Sequence, residues 1–496
     1  MEGHGRRSLQ GGAISLAARA INAVVQVGSI LLLARLLSPE DYGLVSMVAA
    51  ITGFAPLLVD LGTRDAVVQR PGLSKGEVSA LFWITIAMGS GFALIVAASG
   101  PFISRFYGEP RLTAIALLSS TTFLTVALTC QHQALMRRAM MFRELAVIDI
   151  VANVFGAGIA IAMAFYGFKY WALVVRPIVT NLLVAIGVWS SCRWFPQRPD
   201  ISAGVKEMLK FGANLTGFSF FDFLGRNGDR VAIGNRYGAI GLGYYQNALT
   251  VYDNLLDLTF PLHGVAVASF SKLRSNPEEL RRLWAKAIST LSFFAMPAFG
   301  VLAVTSQDLI VLMLGSKWSI AGVLLSVLAL RGIPHVVERT LGWLHVAAGK
   351  ADRWMKYGAV ATCIQLFALF CGLPFGPIGV VTAYMVCMYL LFVPAIAYAG
   401  RPLGIRAKNL MEAVGPQMVA ALCSSGIGFL LRHWFLADCQ PLVRVAWLAF
   451  AYLSCYAIIA VGFFRVRMPL RTVLSLVRDP LIRLFCRMGY VRGSSY

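Results

Sequence analysis

Five arginines interrupt stretches of the sequence that are otherwise apolar, and their chemistry points to an anionic ligand. They are Arg19, Arg226, Arg230, Arg331 and Arg339. A charge among apolar residues is costly, so such a side chain faces a polar interior or a partner. The guanidinium group is a planar fork of donors that suits phosphate oxygens. Arg226 and Arg230 share a helical face and repel each other. This excess of arginine predicts an anion such as a lipid-linked pyrophosphate.

Acidic residues stand in the same apolar stretches and allow two interpretations. Asp149, Asp229 and Glu338 are candidates for binding a coupling proton or cation. They could instead pair with neighbouring arginines, as the four-residue spacing of Asp222 and Arg226 permits. The spacing alone does not separate ligand binding from salt bridging, so both interpretations stay open.

Other kinds of chemistry leave no pattern in the sequence. It contains no phosphate-binding glycine loop, no zinc-ligand spacing, no nucleophile elbow and no C-x-x-C pair among its nine cysteines. The acidic pair Glu40-Asp41 follows Ser38-Pro39, which predicts a helix start rather than a catalytic site. We therefore expect no enzyme, metal site or cofactor, and a coupling ion that is either H⁺ or Na⁺.

The elements that position these residues are long apolar segments. Of the 496 residues, 58% are hydrophobic and 14% are charged, against about 25% charged residues in a soluble domain. This composition excludes disorder and predicts an all-α polytopic membrane protein. We expect about fourteen transmembrane helices, at residues 12–37, 43–62, 79–99, 112–135, 145–165, 170–192, 208–234, 240–268, 287–313, 320–345, 355–374, 378–399, 412–434 and 443–464.

The positive charge has a one-sided distribution. The formal net charge is +21, which in a soluble protein would suggest nucleic acid. Lysine and arginine instead concentrate in alternate loops, and the other loops contain only Arg105, Arg111, Lys169, Arg236 and Lys317. The positive-inside rule then predicts that both termini are cytoplasmic. We expect no nucleic-acid partner.

Weak internal similarity divides the chain into two related parts. Tyr42 and Glu77 recur about 200 residues later as Tyr244 and Glu279. Two pseudo-symmetric six-helix lobes follow, with two extra helices added. The predicted parts are a cytoplasmic N-terminus (1–11), an N-lobe (12–206), a C-lobe (207–400), spans thirteen and fourteen (410–464) and a basic amphipathic cytoplasmic tail on the inner leaflet (465–496).

Several motifs resemble those of a known transporter family. They are Leu33–Gly43, Asp60–Arg70, Trp171–Val174, Arg226–Gly234 and Gly241–Tyr245. In this order they resemble the Wzx-type flippases of polysaccharide precursors. These flippases form the polysaccharide transporter branch of the multidrug/oligosaccharidyl-lipid/polysaccharide exporter superfamily. The likeness is greatest to the colanic-acid and succinoglycan exporters, and it fades over the last two spans and the tail.

The resemblance implies alternating access around a cationic cavity. The implied cargo is an undecaprenyl-diphosphate-linked oligosaccharide repeat unit, moved from the inner to the outer leaflet of the bacterial inner membrane for exopolysaccharide or lipopolysaccharide synthesis. By this likeness Arg19, Arg226, Asp229 and Arg230 belong to the cavity, and a polymerase and co-polymerase are expected partners. Arg64-Asp65 departs from the small or apolar residues expected there.

Two other classes of protein compete with this interpretation. A cation-coupled multidrug exporter of the same fold takes cationic substrates, so its cavity should be acidic, whereas Arg19, Arg226 and Arg230 are basic. A membrane polymerase or ligase places its catalytic residues in a large external loop, and the longest one here is about 100–111. The glycan, the coupling ion and the oligomeric state do not follow from the sequence.

Overall fold

The structure is a computed structural model that describes residues 2–60, 62–70, 72–200, 203–257, 270, 277–347, 350–405, 407–466 and 468–470. These residues form helices and turns and no β-strand. The helices are α1 Glu2–Leu36, α2 Pro39–Thr52, α3 Ala55–Asp60, α4 Thr63–Gln69, α5 Lys75–Tyr107, α6 Arg111–Arg138, α7 Phe142–Phe165, α8 Trp171–Cys192, α9 Ala203–Asp257, α10 Pro277–Leu314, α11 Ser319–Glu338, α12 Leu341–Ala347, α13 Ala351–Gly372, α14 Gly376–Gly400, α15 Ala407–Trp434 and α16 Pro441–Ala457, which a π-helix, Ile458–Phe463, continues.

Nine described segments are long and apolar enough to cross a membrane. They are Lys75–Tyr107, Arg111–Arg138, Phe142–Phe165, Trp171–Cys192, Glu278–Leu314, Ser316–His345, Asp352–Leu403, Lys408–Trp434 and Pro441–Phe463. Asp352–Leu403 contains both α13 and α14, so these segments cover ten predicted spans. The polar helix α9 is not among them. The all-α membrane fold is confirmed, and the count of fourteen spans stays a prediction.

The observed helices differ from the predicted spans at two places. The second predicted span, 43–62, is not continuous, because α2 ends at Thr52 and a new helix begins at Ala55. The seventh predicted span and residues 240–257 of the eighth are parts of α9, which breaks at Gly238 with φ 68° and ψ −172°. Residues 258–268 of the eighth predicted span lie outside the described residues. Only glycine adopts these angles readily, since it has no Cβ atom. The break therefore lies in the connection between spans that the sequence predicts.

The chain forms two compact units, Met1–Gln246 and Asn247–Tyr496. In the first unit α5 packs on α6, α6 and α7 pack on α8, and α1 packs on α7. In the second unit α10 contacts α11, α15 and α16, while α14 contacts α11 and α13. The units divide in the second part of α9, whereas the predicted lobes 12–206 and 207–400 divide close to its start. That lobe boundary stays a prediction.

Within the first unit, the segments around the related residues Tyr42 and Tyr244 cross at their glycines, Gly43 and Gly243. A Cβ atom on Gly43 would collide with the backbone carbonyl of Ala239, and one on Gly243 would collide with that of Pro39. The two contacts are reciprocal. Ala239 lies four residues before Gly243, and Pro39 lies four residues before Gly43. The backbones of α2 and of the second part of α9 therefore pack directly against each other, as small residues allow in membrane proteins.

In the second unit, an acidic residue fastens the last two helices to α10. Asp308 forms ion pairs with Arg432 of α15 at 3.1 Å and with Arg444 of α16 at 3.0 Å. Asp308 is 6% exposed. Arg444 also donates to the backbone carbonyls of Leu436 and Cys439, at 2.8 Å each. One carboxylate thus holds α15, α16 and the turn that joins them.

Candidate functional site

In the first unit, Asp229 is a buried acceptor on α9. Its Oδ2 accepts a hydrogen bond from the Tyr245 hydroxyl at 2.5 Å, and its Oδ1 accepts one from the backbone N–H of Arg230 at 2.7 Å. Asp229 is 7% exposed and Tyr245 is fully buried. Because Tyr245 follows the break at Gly238, this bond joins the two parts of α9. The carboxylate holds the local fold, and its predicted part in ion coupling stays a prediction.

Arg230 is a half-buried cation with a neutral partner. Its Nη1 donates to Oδ1 of Asn227, at 2.5 Å. Its Nε is buried and has no acceptor among the described residues. A buried donor without an acceptor costs about 1–3 kcal/mol, so an anion that reaches Nε would be favoured. Arg19 and Arg226 lie in α1 and α9, but their side chains are outside the described part of the structure.

The sequence analysis missed a further arginine in the first unit. Arg176 lies within α8, is half-buried and forms no ion pair with the described residues. The helix α8 contacts α2, which contains Tyr42. An arginine inside the apolar run 170–192 was the signal that could have identified it. Arg176 is therefore a candidate for the same anionic ligand.

In the second unit, the charged residues of α11 have aromatic partners. The guanidinium carbon of Arg331 lies 5.3 Å from the centre of the Tyr384 ring, which is a cation–π geometry. Nδ1 of His335 is 2.5 Å from the Tyr252 hydroxyl oxygen. On the other side of the ring, Nε2 of His335 is 3.7 Å from Oε2 of Glu338. Histidine thus lies between a phenol and a carboxylate.

A second phenol completes this series of polar groups. The Tyr357 hydroxyl donates to Oε1 of Glu338 at 3.2 Å. Tyr252, His335, Glu338 and Tyr357 therefore connect α9, α11 and α13. Arg331 and Glu338 line one cavity of about 10 Å³. That space holds about one water molecule, so this cavity is too small for a diphosphate.

Two predicted site residues remain, Arg339 and Asp149. Arg339 forms an ion pair with Asp257 at 3.1 Å, with side-chain exposures of 28% and 66%. Arg339 is thus ion-paired, which is one of the two outcomes that the sequence left open. Asp149 is exposed on α7, where Asn153 donates to its backbone carbonyl at 2.8 Å. The proposed roles of Arg339 and Asp149 stay predictions.

Two further sequence features have local partners. Arg64, where the motif departs from the expected residues, has its Nε 3.6 Å from Oδ2 of Asp60. Its charge is thus matched by the last residue of the preceding helix. Over the described ranges, no group of three or more histidine, cysteine or acidic residues has the geometry to hold a metal ion.

Comparison with known sequences gives a family match and several relatives. A family model described as "Polysaccharide biosynthesis protein" matches residues 32–321. The teichuronic acid biosynthesis protein TuaB of Bacillus subtilis is 26% identical, covering 71% of this chain and 74% of TuaB. The lipopolysaccharide biosynthesis protein WzxC of Escherichia coli is 25% identical, over 74% and 76%. The succinoglycan biosynthesis transport protein ExoT of Rhizobium meliloti is 26% identical, over 81% and 82%.

Solved structures share the fold at low sequence identity. The lipid II flippase MurJ, in an inward closed conformation, matches with a TM-score of 0.70 and 14% identity, over 91% of this chain and 99% of MurJ. An inward-facing multidrug resistance transporter of the MATE family matches with a TM-score of 0.58 and 15% identity, over 79% and 98%. Both likenesses concern the helical membrane fold.

Proposed function

Because the chain belongs to the polysaccharide biosynthesis protein family, we propose that it is a flippase for lipid-linked oligosaccharides. Its cargo is an undecaprenyl-diphosphate-linked repeat unit, which it moves from the inner to the outer leaflet of the bacterial inner membrane. The names of WzxC and ExoT, which concern lipopolysaccharide biosynthesis and succinoglycan transport, support this substrate class. The protein is a transporter rather than an enzyme, and a polymerase and co-polymerase are its expected partners.

The observation that carries the proposal is the buried Nε of Arg230, a guanidinium donor that has no acceptor among the described residues. Arg230 is half-buried on a long helix of a membrane protein, and its hydrogen-bond partner Asn227 is neutral. A diphosphate supplies charged acceptor oxygens for such a fork. We assign the diphosphate to Arg230 together with Arg19, Arg226 and Arg176. The roles predicted for Arg331 and Arg339 from the sequence stay predictions.

The transport assay tests this assignment directly. A fluorescent undecaprenyl-diphosphate oligosaccharide is placed in proteoliposomes, and its movement between leaflets is measured. Arg230→Gln should slow transfer about 10- to 100-fold, because a hydrogen bond to a charged group contributes about 1.5–3 kcal/mol. The matched control is Arg236→Gln, which neutralises an exposed arginine on the same helix. Arg226→Gln should behave like Arg230→Gln.

Two results would contradict the proposal. Equal slowing by Arg230→Gln and Arg236→Gln would mean that the charge at 230 has no special role. Movement of a small cationic dye, with no movement of the lipid-linked sugar, would favour the cation-coupled multidrug exporter, whose fold the chain also shares. Circular dichroism of each variant confirms that it is folded before transfer is compared.

For the coupling ion, the series of polar groups around Glu338 favours a proton. His335 is placed between the Tyr252 hydroxyl and the Glu338 carboxylate, and Tyr357 donates to the same carboxylate. Each of these groups can give or accept a proton, so protonation of Glu338 would change the bonds between three helices. Asp149 and Asp229 are the other predicted carriers, and Asp229 is already engaged by Tyr245.

Imposed gradients distinguish H⁺ from Na⁺. A pH gradient should accelerate transfer by the wild type, and a Na⁺ gradient should have no effect. Glu338→Gln should remove the response to pH while transfer down a substrate gradient continues. Glu144→Gln, at an exposed acidic residue of α7, is the control. If Glu338→Gln keeps the full pH response, the coupling site lies elsewhere.

A further inference from the structure

A large basic pocket lies in the second unit, and it contains none of the arginines assigned to the diphosphate. Its walls come from the beginning of α10, the beginning of α15 and the segment that follows the π-helix. Its volume is about 1170 Å³. Four cations line it against one carboxylate, which is a strong local excess of positive charge: Arg281, Arg282, Lys286 and Arg465 against Glu412.

The floor of this pocket contains buried polar groups that lack partners. Trp284 and Gln417 are each 1% exposed and line the pocket. The Nε2 of Gln417 donates to the Ser289 hydroxyl at 2.9 Å. The indole N–H of Trp284 and the Oε1 of Gln417 have no hydrogen-bond partner in the described part of the chain. A buried N–H without an acceptor is costly, so a ligand that reaches the floor would be stabilised there.

The position of the pocket along the helices indicates which kind of ligand enters it. Arg281, Arg282 and Lys286 stand near the start of the candidate span Glu278–Leu314. The other two walls also come from span ends, since Lys408–Trp434 begins at the pocket and Pro441–Phe463 ends just before it. Lipid headgroups lie at the ends of membrane spans, where tryptophan is also frequent.

We infer that this pocket binds the phosphate headgroup of an anionic phospholipid. Arg282, Lys286 and Arg465 are exposed at the pocket, so they can meet a phosphate from the membrane surface. Apolar side chains, including Val466 and Met468, also line it and offer contacts for the glycerol and the upper acyl chain. A free phosphate ion would use the cations alone. The volume exceeds what such an ion needs and is suitable for a headgroup with its glycerol.

The test measures lipid binding by the purified full chain, without any transport substrate. Native mass spectrometry follows the binding of phosphatidylglycerol and phosphatidylcholine to the detergent-solubilised protein. The wild type should prefer phosphatidylglycerol. The double variant Arg282→Gln/Lys286→Gln should bind it about 30-fold more weakly, because each basic residue near an anionic lipid contributes roughly 1 kcal/mol. The control Arg143→Gln/Lys356→Gln removes two exposed cations outside the pocket.

A second variant examines the floor while keeping its shape. Trp284→Phe removes the indole N–H but keeps an aromatic ring, so it should weaken phosphatidylglycerol binding several-fold without unfolding the protein. Thermal melting checks the fold of each variant. Equal binding of phosphatidylcholine, or full binding by the double variant, would overturn the inference.

Competition identifies the source of the phosphate. Inorganic phosphate and pyrophosphate should displace phosphatidylglycerol only at far higher concentrations than the lipid. Displacement at equal concentrations would instead assign the pocket to a free anion. Tighter binding of undecaprenyl diphosphate than of phosphatidylglycerol would make it a substrate-docking site. The flippase proposal is judged separately, by transfer in vesicles of phosphatidylcholine alone, so the two can fail independently.

Discussion

At the scale of single residues, the charges within the helices differ in how they are satisfied. Asp229 accepts from Tyr245, Arg339 pairs with Asp257, and Arg230 keeps an Nε without an acceptor among the described residues. All three stand out in the sequence, because each places a charge within a predicted span. The sequence could not assign their partners, since these lie 16 and 82 residues away for Asp229 and Arg339. Only the packed helices bring such residues together.

A surface ion pair gives a pH-dependent prediction. Hydrogen bonding from the Arg111 side chain lowers the pKa of Glu109, in the turn between α5 and α6. A lowered pKa stabilises the fold above the unfolded value of about 4.3, and this stabilisation is lost as the pH falls through the folded value. Arg111→Gln should therefore cost less than about 1 kcal/mol at pH 7. The difference from the wild type should disappear towards pH 3.

Thermal unfolding in detergent between pH 3 and pH 7 measures this difference. Arg105→Gln, at an exposed arginine close to Arg111 in the chain, is the control. A difference that persists unchanged at pH 3 would show that Arg111 acts through packing rather than through its carboxylate partners Glu109 and Glu40.

At the scale of elements, local sequence signals determine where several helices begin and end. Ser38 begins α2 with a capping box in which its side chain and Asp41 bond to each other's backbone N–H groups. This confirms that the acidic pair marks a helix start. Gly238 breaks α9 between the two predicted spans. These features were predictable because capping and glycine conformation depend on neighbouring residues only.

The glycine crossing in the first unit predicts a severe effect of a small substitution. Gly43→Ala would place a Cβ atom against the carbonyl of Ala239. Overpacking of this kind costs about 1–3 kcal/mol or more, so the unfolding midpoint in denaturant should fall and expression should decrease. Gly91→Ala, at a helical glycine with open space around it, should change stability by less than about 1 kcal/mol. Equal stability of the two variants would contradict the close crossing.

The ion pairs of Asp308 predict how the last two helices are held. Asp308→Asn leaves Arg432 and Arg444 without their shared carboxylate, and breaking a buried ion pair costs about 3–5 kcal/mol. Limited proteolysis between α15 and α16 should become faster, and the melting temperature should fall. Asp438→Asn, at an exposed aspartate in the same turn, should have little effect. Wild-type proteolysis of Asp308→Asn would mean that apolar packing alone holds these helices.

At the scale of the whole molecule, the chain is a multi-pass membrane protein with two compact units. Its membership of the polysaccharide biosynthesis protein family agrees with the resemblance carried by its motifs. The concentration of lysine and arginine in alternate loops predicts that both termini are cytoplasmic. The helices themselves are compatible with either orientation, so orientation requires its own measurement.

Cysteine labelling measures the orientation. In a variant whose nine cysteines are replaced, single cysteines are introduced by Lys169→Cys and Arg143→Cys, at exposed positions before α8 and at the start of α7. A membrane-impermeant maleimide should label Lys169→Cys in right-side-out vesicles and Arg143→Cys only in inverted vesicles. The reverse pattern would place the termini outside the cytoplasm. The cysteine-free protein is the control for background labelling.

The membrane class, the helical fold, most helix positions and the family could all be predicted from the sequence. These depend on apolar segment length, local turn chemistry and motif order, which are all properties of neighbouring residues. The partners of the charges, the unsatisfied donor of Arg230 and the basic pocket formed by α10, α15 and the segment after the π-helix depend on how the helices pack. The pocket needs residues more than 100 positions apart, such as Gln417 and Ser289, and the partners of Asp229 and Arg339 lie 16 and 82 residues away. Helix packing brings such residues together, and no local pattern encodes their distance.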